Sequence, residues 1–142
     1  MQSNLKEKLW AFIIHNNPEL MFNLQAEYSV TRHLEDKVAK VMPFVLKLLE
    51  QGKSGPAIEE LALEAMTEEL RPSRFLYLKG ILKNEFPAEY ESYKEAGVLT
   101  YETVNLIDHC QEVFDVFAFS VENEQDQKLR HAIIAKVHDY LP

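Results

Sequence analysis

The chain has 142 residues, 46% of them hydrophobic and 27% charged. That composition belongs to one globular domain able to bury a core, not to a disordered segment. Four glycines and six prolines leave few turns and argue against a many-stranded sheet. The lone cysteine, Cys110, excludes an internal disulfide, and a net charge of −8 opposes nucleic-acid binding by the chain as a whole.

In chain order, the first predicted helix covers residues 4–15. Leu5, Leu9, Phe12 and Ile13 form its apolar stripe, and Asn4 and Glu7 have capping-box spacing. The six-residue apolar run 9–14 follows Lys6 and Lys8 as in a leader sequence. It is far too short for a membrane span, which needs about 18–20 residues, and it runs on into His15-Asn16-Asn17 without a cleavage site. Asn16-Asn17-Pro18 ends the helix, and Pro18 opens the next at its first position. The β-branched and aromatic residues of 27–31 predict a break.

Leu34, Val38, Val41, Val45 and Leu48 are spaced 4, 3, 4, 3. The register crosses Pro43, so the expectation is one helix kinked at Pro43, capped by Gly52. Lys53-Ser54-Gly55-Pro56 is the strongest turn signal. A short helix follows to about Leu70, with Ile58, Leu61, Ala62 and Ala65 inward and Glu59, Glu60, Glu64 and Glu68 outward. Pro72 is expected to begin the next helix, whose stripe is Phe75, Leu78, Leu82 and Phe86. Pro87 leads toward Tyr90 and Tyr93, Gly97 closes that section, and Thr100 is a candidate cap.

Residues 101–119 carry the clearest pattern. Val104, Ile107, Cys110, Phe114 and Phe117 are spaced 3, 3, 4, 3, while Asn105, Asp108, Glu112 and Asp115 are spaced 3, 4, 3. The two tracks are offset by roughly 200°, giving one apolar and one acidic face. The last helix is expected over residues 122–141, with Glu122, Glu124 and Asp126 near its start and Leu129, Ile133, Val137 and Tyr140 inward. With no long polar linker, residues 1–142 read as a single all-α domain, a compact irregular bundle of six or seven helices.

Chemistry is sparse. His109 and Cys110 point about 100° apart on a helix, and His131 and His138 lie about 10 Å apart along one. His15 and His33 have no ligand-spaced neighbour, so each histidine reads as a surface or helix-end residue. There is no Glu-x-x-His pair, calcium loop, phosphate loop, dinucleotide fingerprint or nucleophile elbow. No cofactor and no metal is therefore expected, and an enzyme, with a site built from dispersed helix residues, is the least favoured of three readings.

Charge is uneven: residues 1–55 carry +1 and residues 56–142 carry −9. The acidic stripe Asp108, Glu112 and Asp115 is the first candidate for docking a protein with a basic surface, against the plainer reading of a solvated helix face. The alternative is nucleic-acid binding by Arg71, Arg74, Lys79 and Lys83. There a helix, a short turn and a basic helix start share the outline of a DNA-reading pair. Against it stands pairing of Arg71 and Arg74 with Glu68, Glu69 or nearby carboxylates. Spare aromatic residues leave a homodimer open.

Two stretches, RFLYLKGILKNEF at 74–86 and LIDHCQEVF at 106–114, carry a resemblance. The chain resembles a small uncharacterised family of anaerobic Bacteroidetes, often encoded near conjugative mobile elements. The resemblance implies an all-helical fold and a cytoplasmic setting, with no activity and no functional residues to carry over.

Overall fold

Prolines and short polar residues cut the chain into helices. The computed structural model describes residues 1–142, with no strand. It divides into two compact units, Met1–Leu70 and Arg71–Pro142.

In the first unit, α1 (Gln2–Asn16), α2 (Pro18–Ala26), α3 (Val30–Glu50) and α4 (Gly55–Met66) precede a 3-10 turn at Glu68–Leu70. The apolar faces of α1, α3 and α4 close on one another, and α2 packs on α1 and α3. The core is Leu5, Leu9 and Ile13 with Leu34, Val38, Val41, Val45 and Leu48, and Ile58, Ala62 and Met66 from α4. All five residues of the predicted α3 stripe are buried. Pro43 sits inside that one helix. An unrelieved internal proline costs about 3 kcal/mol. Burying Val45 and Leu48 beyond it returns about 1.5–3 kcal/mol each, so the helix continues.

The second unit contains α5 (Arg74–Glu85), α6 (Pro87–Glu95), α7 (Leu99–His109), α8 (Gln111–Val116) and α9 (Gln127–Tyr140). Its own core is built from Phe75, Leu78, Ile81 and Leu82 of α5, Leu106, Ile107, Cys110 and Phe114, and Leu129, Ile133 and Val137 of α9.

Several expectations are corrected. There are nine α-helices where six or seven were expected. Residues 101–119 are not one helix: Cys110, at φ −98° and ψ 2°, separates α7 from α8. The buried face there centres on Thr103, Leu106, Ile107, Cys110 and Phe114, leaving Val104 and Phe117 half-buried. Asn4 does not cap α1; its amide donates instead to Glu59 Oε1 at 3.2 Å. Thr100 is within α7 rather than at its cap, and Ala65 is exposed while Met66 is buried. Pro72 precedes α5, whose cap is Ser73, accepting from the Leu76 N–H at 3.0 Å. α9 starts five residues later than expected, because Asp126 caps it by accepting from the Lys128 N–H at 2.7 Å.

Four helix ends share one closure. At Gly52 and Gly97 the chain turns left-handed (φ 76° and 75°), and paired backbone bonds satisfy the last carbonyls. The same closure is made by Tyr28 after α2 (φ 55°) and Ala118 after α8 (φ 50°), where a side chain adds strain. Tyr28 is 97% exposed, so its ring contributes no packing. Tyr28→Gly and Ala118→Gly are each expected to stabilise the protein by about 1 kcal/mol, raising its melting temperature by about 4–8 °C in a unit this small. Gly52→Ala and Gly97→Ala should shift it the other way. A lower melting temperature for Tyr28→Gly or Ala118→Gly would contradict the strain assigned to those two positions.

Candidate functional site

The acidic track survives the break in the helix. Asp108 leaves the end of α7, while Glu112 and Asp115 lie on α8, and all three are exposed. With His109, Gln111 and Val116 they border one shallow depression of about 390 Å³. Val116 is 76% exposed, which places an apolar residue among the carboxylates. Asp115 is countered by Arg74, whose Nη2 donates to its Oδ1 at 3.1 Å. Asp108 and Glu112 carry no ion pair.

The basic set is dispersed. Besides reaching Asp115, the Arg74 guanidinium lies 5.0 Å over the Phe114 ring. The Lys79 ammonium is 5.8 Å over Phe75. Lys83 lies in the last turn of α5 and is exposed. Arg71 lies outside the helix and is itself engaged. The pairing expected for Arg74 thus occurs, but with Asp115 rather than with Glu68 or Glu69, since Phe75 and Leu78 turn α5 into the core beside α7 and α8. Of the outward acidic residues Glu59, Glu60, Glu64 and Glu68, Glu59 is paired with Lys8 at 2.8 Å, and the neighbouring Glu69 is paired with Lys37.

His15, His109, His131 and His138 are exposed, and His33 is half-buried. Burial, then the nearby Lys37 ammonium, holds the His33 pKa below its ordinary value. No group of three or more His, Cys, Asp or Glu is placed to hold a metal ion, and no helix is long and apolar enough to cross a membrane.

One polar cluster had no sequence signal. The Tyr140 hydroxyl donates to Glu102 Oε2 at 2.5 Å, joining α9 to α7 across 38 residues of sequence. Burial and then the Glu102 carboxylate push the Tyr140 pKa up to about 12. The His109 ring stands 5.5 Å from the Tyr140 ring. In contrast, the Tyr77 hydroxyl is buried without a partner while its ring packs edge-on against Phe114 and Phe119. Comparison of the chain with models of protein families, with curated proteins and with solved structures found no match.

Two predictions follow from these burials. Tyr140→Phe removes a bond to a carboxylate and should cost about 1–2 kcal/mol, whereas Tyr77→Phe removes only an unsatisfied hydroxyl and should be neutral or stabilising by up to about 1 kcal/mol. Urea unfolding of both variants checks the ranking, and the reverse order would refute it. Burial also pushes the Cys110 thiol up from 9.0 to about 11. The unfolded chain then ionises first, so the stabilisation is intact below pH 9 and disappears as pH rises through about 11. Cys110 should resist alkylation at pH 8 until the protein unfolds, and Cys110→Ala should flatten the alkaline part of the stability profile.

Proposed function

We propose that the chain is a non-catalytic protein-interaction domain. Its second unit docks a basic partner through the face formed by Asp108, Glu112 and Asp115. The observation that carries this is the grouping of those carboxylates around one depression with exposed Val116 among them. An apolar contact inside a charged rim is the usual anatomy of a protein interface, and the charges set partner choice and association rate. The second unit has eight basic and twelve acidic side chains, a net −4, so its wider field favours the same partner.

Nucleic-acid binding through Arg71, Arg74, Lys79 and Lys83 has less support. Arg74 is held by Asp115, and Lys79 lies against an aromatic ring, so the set does not offer a row of open cations to a phosphate backbone. A cytoplasmic setting goes with the interaction reading, since Cys110 is a buried free thiol and nothing in the fold depends on oxidation. The resemblance to a family of anaerobic Bacteroidetes supplies no activity, so the proposal rests on surface chemistry alone.

The test is recovery of partners from native lysate by the tagged chain, with and without nuclease, beside the variant Asp108→Lys, Glu112→Lys, Asp115→Lys. A protein recovered in near-equal amount, resistant to nuclease and lost with the triple variant, is the expected outcome. Binding that is unchanged in a folded triple variant would sink the assignment. Recovery that disappears with nuclease would transfer it to the basic edge.

A further inference from the structure

A second surface lies wholly within the first unit, between α3 and the end of α4 with its 3-10 turn. A groove of about 450 Å³ is lined by Lys37, Lys40 and Phe44 from α3 and by Met66, Glu68 and Glu69 from the other side. Phe44 is 38% exposed. Lys37, Lys40 and Phe44 follow one another at helical spacing, so a single face of α3 supplies one side of the groove. At about 450 Å³ the groove falls within the size range of small-molecule pockets, but four of its lining side chains are charged.

The groove is neutral although the unit that carries it is net acidic: the unit has seven basic and eleven acidic side chains, the groove two of each. Lys37 is bound to Glu69 within the chain. Lys40 and Glu68 are both exposed and belong to no ion pair. Two acidic chains repel at most orientations, and a neutral bipolar patch is where that repulsion vanishes. A two-fold interface apposes a patch to itself, so a surface with a cation on one side and an anion on the other is self-complementary.

We infer that this groove is a homodimer surface, occupied by the same groove of a second copy of this chain, with Phe44 packed at the two-fold axis and Lys40 of each copy against Glu68 of the other. This dimer involves neither Asp108, Glu112 nor Asp115, so it stands or falls independently of the acidic docking face.

Charge exchange tests it. Sedimentation equilibrium of the full chain from micromolar to millimolar concentration should show the mass rise from 16.5 kDa toward twice that value. Lys40→Glu alone apposes two carboxylate pairs and Glu68→Lys alone apposes two ammonium pairs, so each should weaken association by at least about tenfold. An equimolar mixture of the two variants restores both opposite-sign contacts and should recover the association of the original chain. Phe44→Ala should weaken it without rescue by either partner. A chain that remains at 16.5 kDa throughout overturns the proposal and leaves the groove to a different occupant. Association that ignores the single reversals, or a mixture that fails to recover it, overturns it equally.

Discussion

Burial of one apolar face per helix is what holds this protein together. Apart from α3, no helix exceeds 15 residues. Helices of that length are marginal in water, because the first turn is costly to nucleate and few bonds follow it. Each unit therefore gathers its helices around eleven core residues of its own. Units of about 70 residues bury a modest fraction of their surface, so single core positions carry a large share of stability. The interior is accordingly almost free of polar groups. Thr103 is fully buried only because its hydroxyl donates to the Leu99 carbonyl at 2.7 Å.

Once the apolar faces are committed inward, the charged faces are left to the surface, and there geometry decides which charges remain available. Lys8, Lys37, Arg74 and Arg130 each take a carboxylate. Exposed pairs of this kind contribute about 0–1 kcal/mol, too little to organise the fold. Their consequence is chemical: they remove Glu59, Glu69, Asp115 and Glu85 from the set of unopposed charges. Asp108 and Glu112 on one unit, and Lys40 with Glu68 on the other, stay open. The acidic depression is thus unbalanced in sign, whereas the groove beside α3 is balanced. Those two conditions favour different partners, a basic surface in one case and an identical surface in the other.

Much of the helical organisation was legible in the residues. Pro18 opens a helix, Gly52 and Gly97 close theirs, and the stripe Leu34, Val38, Val41, Val45 and Leu48 is buried throughout. Boundaries that depend on a side-chain cap were less legible. Asp126 competes with Glu122 and Glu124 as a helix start, and only the bond from the Lys128 N–H selects it. Ser73 prevails over Pro72 for the same reason. The acidic track at Asp108, Glu112 and Asp115 was visible as a spacing, but its pairing with Arg74 and its grouping around Val116 were not.

The sequence by itself determined the all-α class, most helix positions and the faces they bury, because helical periodicity and proline and glycine stereochemistry act over a few residues. Tertiary structure alone decided that the chain condenses around two cores, that residues 101–119 break at Cys110, and that Glu102 meets Tyr140 across 38 residues. It also decided which surface charges are paired. Such contacts depend on how several helices pack at once, and no local pattern encodes the distance between side chains that different helices bring together.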